Sequence, residues 1–258
     1  MNKCLHLLIM IFLIQSCTSI SQFIKKVEDD NDLWGNVNID RIKMYFKKGS
    51  VIERDKEKYA LKIKDSFSRA EKFSQIQYQD SIKVIILENS KEIKDLLGVE
   101  TSGISFPDDG IIVEIAGVIN TLHEKMHLLT IKKWGMPKKW LSEGMAVYSD
   151  NKWWGEELYN LSNYLKKHDK RLPLNALQDD KSFDNLNNLY SYPQSGSLVK
   201  YIDEIYGRKK LLELWKSNNF EKVLGINAEN LIVDWEGALE KHSADGIDYL
   251  TRLGIKAE

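Results

Sequence analysis

His123-Glu124-Lys125-Met126-His127, followed by Trp140-Leu141-Ser142-Glu143-Gly144, is the stretch from which the rest of this chain is best read. Residues four apart lie on one face of an α-helix, so His123 and His127 can aim both imidazoles at one point. Two imidazoles at that spacing suit a zinc ion, and a Glu after the first His sits beside the metal's open position. There Glu124 can take a proton from a water whose pKa the metal lowers toward neutrality. The alternative is a surface helix whose two His are ordinary polar neighbours. Ile115, Ala116, Val118, Ile119 and Leu122 precede the motif, and Leu128, Leu129 and Ile131 follow it. A helix this apolar has no reason to turn two His and a Glu inward unless they hold something, because unpaired polar groups are costly to bury.

The motif helix is predicted to run to about Trp134 and to break at Gly135-Met136-Pro137. Ser142 then reads as the cap of a second helix, from Glu143 to about Asp150. A carboxylate in a first helical turn is favoured by the helix dipole alone, so Glu143 need not be functional. A loop of this length can also return the chain antiparallel and bring Glu143 to the metal, which would complete a His-His-Glu set.

The motif taken with Pro137-Lys138-Lys139-Trp140-Leu141-Ser142-Glu143-Gly144-Met145-Ala146-Val147-Tyr148 resembles the gluzincin metallopeptidases. More narrowly it is similar to the small peptidase MA-like metallohydrolases, which pair His-Glu-x-x-His with Pro-x-Trp-Leu-x-Glu-Gly-x-Ala-x-Tyr. The resemblance implies that His123, His127 and Glu143 hold one zinc ion and that Glu124 is the general base. It implies an α+β fold: a thermolysin-like core with a small mixed sheet and the motif helix, then a mostly helical C-terminal part. The segment Tyr190 to Ile202, with Tyr206-Gly207-Arg208, also resembles this group. By that match Tyr192 donates a hydrogen bond to the oxyanion forming on the scissile carbonyl; packing at a helix start is its other possible role. The sequence departs from the best-known gluzincins at Val147, where a carboxylate would stand four residues after Glu143. That partner is missing or comes from elsewhere.

At the amino end, Leu5 to Ile14 is apolar but shorter than the about 20 residues that span a bilayer. It fits a secretory signal peptide, and Ile14-Gln15-Ser16-Cys17 resembles the lipobox of bacterial lipoproteins. The expected organisation is a signal peptide over 1–16, a lipidated Cys17 and tether over 17–38, a sheet-plus-helix metal-binding subdomain over 39–150, and a helical subdomain over 151–258. Thr18 to Asn38 is polar, with Glu28-Asp29-Asp30-Asn31-Asp32 in its middle, and reads as a spacer from which Trp34 packs back. The two cysteines are Cys4 and Cys17; removal of one and acylation of the other leave no disulfide. The implied location is a bacterial envelope membrane.

Net charge is −1, and −2 once residues 1–16 are removed, with both signs interspersed. That excludes the basic footprint of a nucleic-acid binder. Strands are predicted at Ile42–Phe46, Ser81–Glu88, Thr101–Phe106 and Gly110–Glu114, with a helix from Ser50 to about Ser74. The last of these strands can border the metal cleft and pair with an extended peptide, or simply be an interior hairpin. His168 and His242, in charged contexts, read as surface residues.

Three functions compete. The first is a zinc peptidase acting on peptide or protein. The second is a non-catalytic envelope lipoprotein that uses the fold as a binding or scaffold module. The third is a zinc hydrolase of a non-peptide bond, since fold and metal do not fix the substrate. An intact Glu124 favours the first.

Overall fold

The computed structural model describes residue 20 and residues 22–255. Its elements run α1 (residues 22–29), β1 (Trp34–Ile39), β2 (Ile42–Lys47), α2 (Val51–Arg54), α3 (Lys56–Ser74), β3 (Ile82–Leu87), α4 (Ser90–Leu97), β4 (Gly103–Phe106) and β5 (Ile111–Ile115). There follow α5 (His123–Trp134), α6 (Lys139–Asp150), β6 (Lys152–Trp153), β7 (Glu156–Glu157), α7 (Leu158–Lys167), a single 3-10 turn (Leu174–Leu177), α8 (Asp180–Asp184), α9 (Asn188–Ser217), α10 (Phe220–Leu224), α11 (Ala228–Leu239) and α12 (Tyr249–Arg252). The architecture is α+β. Packing divides it into two units: one reaches Ser68 and adds Tyr78–Thr121, the other comprises Arg69–Gln77 and Leu122 onward.

The first unit is built on a five-stranded mixed sheet in the order β1-β2-β3-β5-β4. The inner strands β2, β3 and β5 are parallel, and the outer pairs are antiparallel. Val84, Ile85, Ile86, Ile112 and Val113 are fully buried, the continuous apolar run expected of strands covered on both faces. Ser50 caps α2 through a bond from the Glu53 N–H, and Asp55 interrupts the helix that the sequence predicts as one piece before α3 resumes it.

Residues 20–38 are not a tether. Ile20, Phe23, Ile24 and Val27 recur at helical spacing and are buried against Trp34, Tyr45, Ile85 and Val113. Phe23 meets Trp34 edge-on at 6.3 Å. The acidic run hides this stripe in the sequence. Within it, Glu28 accepts a bond from the Tyr45 hydroxyl at 2.8 Å and pairs with Lys83 at 2.9 Å, so part of the charge is structural. The signal-peptide and lipidation readings, Cys17 included, fall outside the described residues. Among those described, no helix is long and apolar enough to cross a membrane.

The second unit is helical, and it contains α5. The motif helix therefore groups with the C-terminal helices rather than with the sheet, as the expected boundary at 150 had it. Its centre is the approach of α6 to α9. A Cβ on Gly144 would lie 2.6 Å from the Ser195 carbonyl oxygen and from Val199 Cγ2, so only glycine admits this spacing. Three buried indoles each find an acceptor: Trp140 Nε1 donates to Asn218 Oδ1, Trp215 to the Gly135 carbonyl and Trp235 to Ser197 Oγ. α9 is two helices joined at Gly207, where φ turns to 83°.

Candidate metal centre

All the residues of the predicted site that are described lie in the second unit. His123 opens α5 and His127 follows one turn later, fixed among Met126, Leu128 and Leu129, all fully buried. Glu143 stands on α6, which begins four residues earlier than expected, at Lys139. Ser142 is consequently not a cap. It is buried inside the helix and its hydroxyl meets His127 Nδ1 at 3.0 Å. That contact orients the imidazole and frees Nε2 to face the site. The sequence reading missed this role, and the signal for it was a hydroxyl residue directly before Glu143.

The three donor atoms form a nearly equilateral triangle. His123 Nε2 and His127 Nε2 are 3.1 Å apart, and Glu143 Oε2 is 3.3 Å from the first and 3.4 Å from the second. Ligand atoms about 2.0–2.1 Å from a tetrahedral ion lie about 3.3–3.4 Å from one another, so the spacing suits zinc. The chemistry of the set agrees. Glu143 Oε2 is buried, 3.3 and 3.4 Å from the two imidazole nitrogens, and makes no well-aligned hydrogen bond. Groups so arranged repel unless a cation or a proton lies among them.

The electrostatics carry the same sign. Burial works to raise the Glu143 carboxyl, but His127 and His123 outweigh it and hold the group far below the usual carboxylate range. Burial likewise works to lower His127, and the Glu143 carboxylate, helped by Glu124, raises it on balance. Glu124 lies in the first turn of α5, half-buried, close enough for its charge to act on both His127 and Tyr192.

Tyr192, in the first turns of α9, stacks on His123 with ring centroids 6.1 Å apart and planes 11° apart, and on Phe183 at 6.1 Å and 13°. Trp153 closes on it at 5.7 Å. Burial and then the Glu143 carboxylate push its phenol well above the ordinary range, which favours the protonated, donating form. Its packing role and its place beside the donor triangle therefore coexist. A cavity of about 300 Å³ opens at Tyr192, lined by Phe183, Asp184, Leu186, Asn187 and Asn188.

Asp150, the last residue of α6, supplies a carboxylate that the sequence reading did not place. Its Oδ2 accepts the Leu122 N–H at 2.8 Å, and Arg69, His123 and Lys125 all lie near enough to act on its charge. His168 and His242 are not free on the surface. Each is half-buried against an aromatic ring, Tyr164 at 4.1 Å and Tyr159 at 4.7 Å.

With the site in view, comparison with known families is decisive. The family model described as the Peptidase MA superfamily matches residues 62–238, more than half of the chain. The chain belongs to the peptidase MA superfamily. The matched region of this peptidase MA chain contains all three donors, Glu124, Ser142, Asp150 and Tyr192. Peptidase MA proteins are typically metal-dependent, and the His-His-Glu cluster is where this one can hold an ion. No curated protein matches the chain.

Proposed function

We propose that the chain is a zinc metallopeptidase with a thermolysin-like, gluzincin centre, in which His123, His127 and Glu143 hold one zinc ion. The observation that carries this is the compact triangle of donor atoms, with the buried Glu143 oxygen at one corner. When bound, zinc supplies a Lewis acid that polarises a carbonyl and makes water acidic enough to attack near neutral pH. Glu124, one residue from a ligand and turned about 100° from it on the helix, accepts the proton of the attacking water and returns it to the leaving amine. Tyr192, kept protonated, donates its O–H to the developing oxyanion. Ser142 holds the His127 ring in place, and the cavity beside Tyr192 receives part of the substrate.

The reading extends to export and to anchoring at a bacterial envelope membrane through acylated Cys17, supported by the Ile14-Gln15-Ser16-Cys17 pattern. Cys17→Ser should then release the protein from membranes or leave its signal unprocessed, with metal content unchanged.

The central test is Glu124→Gln, examined by metal analysis and by digestion of a peptide library. The variant should keep zinc within a few-fold of wild type and lose activity by roughly a hundredfold or more, the usual scale for a general base. Equal cleavage by the variant would refute the mechanism. A zinc-loaded wild type that cuts nothing would favour a scaffold instead.

A further inference from the structure

The hairpin that follows α6 is closed by an unusual pair of residues. Trp153 pairs with Glu156, which leaves Trp154 and Gly155 as a two-residue turn. Both have positive φ, 51° and 91°. Tight hairpin turns of this kind are normally filled by Asn-Gly or Asp-Gly. Gly155 adopts the conformation at no steric cost, whereas for a residue as bulky as Trp154 it is strained. Burial does not compensate, because the Trp154 side chain is 62% exposed.

Its neighbour performs the structural task. Trp153 packs on Tyr192 at 5.7 Å and donates Nε1–H to the Tyr249 hydroxyl at 2.9 Å. The hairpin is further held by Lys200, which bonds Asn151 and Glu157, and by an ion pair between Arg252 and Glu156. A strained residue kept in place by its surroundings while most of its own side chain faces solvent is the pattern found at ligand clamps and active sites.

We propose that Trp154 is a substrate-binding residue, which presents its indole to an apolar or aromatic side chain of a polypeptide substrate. The proposal rests on the peptidase reading and names the side-chain class that the site prefers. The hairpin is continuous with the site: Trp153 touches Tyr192, and Tyr192 stacks on His123. A rigid, exposed indole is an effective anchor for such side chains. A lipid surface suits the hairpin less, since membrane affinity grows with buried apolar area, of which the tip offers one ring.

The test uses Trp154→Asn, which creates the favoured Asn-Gly turn, with Trp154→Phe beside it. Binding is read by fluorescence anisotropy on zinc-loaded Glu124→Gln protein. One labelled peptide is rich in Phe and Leu, and one of equal length is rich in Ser and Gln. Trp154→Asn should raise Tm by roughly 2–4 °C through relief of strain. It should weaken the apolar peptide about tenfold while changing the polar one by no more than about twofold, and Trp154→Phe should retain most of the affinity. Unchanged affinity for the apolar peptide, equal loss on both peptides, or an unraised Tm would overturn the proposal. So would lost binding to phosphatidylcholine vesicles with peptide affinity intact. If the parent binds neither peptide, the peptidase reading fails and Trp154's role fails with it. If the parent binds and Trp154→Asn binds equally well, only the role of Trp154 is lost.

Discussion

The Asp150 carboxylate at the end of α6 accepts a 2.8 Å hydrogen bond from the Leu122 N–H at the start of α5. A negative charge at the carboxyl end of its own helix is unfavourable, but the same charge at the amino end of a second helix is favourable. Leu122 has no side-chain cap to offer, so Asp150 caps α5 from outside. One residue thus ties together the two helices that carry the three donors.

Asp150→Ala should therefore lower zinc affinity about tenfold, the scale on which partners behind the ligands act. Asp150→Asn keeps an oxygen acceptor and should bind zinc nearly as well as wild type. Burial raises the Asp150 pKa, partly offset by the Leu122 N–H and nearby positive groups. An acid whose pKa is raised on folding loses stability as pH rises through the interval above its ordinary value. Asp150→Asn should then be no less stable than wild type at pH 7. Zinc competition with a chelator and melting curves measure both effects, and a zinc loss in the Asn variant equal to that in the Ala variant would contradict the capping role.

The metal-free protein should show a stability maximum in mildly acidic solution. Glu143 is lowered from 4.5, so its contribution is present above that value and lost as pH falls below it. His127 is raised from 6.5, so its contribution is present below 6.5 and lost as pH rises through the higher folded value. Zinc competes with the His127 proton, and its affinity should climb with pH over that upper interval. Melting temperatures with chelator present, taken from about pH 4 to 8, test the shape; a flat profile would mean that the pair is uncoupled.

Gly144→Ala should destabilise the protein by about 1–3 kcal/mol, because the added methyl meets the Ser195 carbonyl oxygen and Val199 Cγ2, each at 2.6 Å. Glu143 is the adjacent residue, so zinc affinity should fall as well. Gly237→Ala on α11 is the control: nothing lies within 4 Å of its new Cβ, and the better helix former should leave Tm unchanged or higher. Similar losses at both positions would argue against close packing as the cause.

Phe23→Ala should cost about 3 kcal/mol, as for other large buried aromatics. On a tether the same change would have no effect. Thermal or urea denaturation decides between the two, and a soluble form that starts at Ser21 should be weakened by loss of the buried Ile20.

What could be read in advance follows from how local each signal was. The motif helix, the parallel strands and the β4–β5 hairpin were legible because apolar periodicity and Gly or Pro punctuation mark them without tertiary help. The His pair was legible because His123 and His127 share one helical face, whereas Glu143 joined it only through the family resemblance. Ser142 was not: a hydroxyl before Glu143 satisfies the rules for a cap, and only the earlier start of α6 turns it toward His127. Residues 20–38 were misread because charge dominates their composition, while the four apolar residues that decide their fate occupy a single helical stripe. Asp150 and Trp154 needed coordinates, since one acts across 28 residues of sequence and the other is identified by a backbone angle.

The docking of α1 on the sheet unit also sets how far the protein can reach. Ile20, the first described residue, is already buried, and three residues after Cys17 span at most about 10 Å. With Cys17 acylated as proposed, the sheet unit would be held close against the lipid headgroups rather than on a long leash.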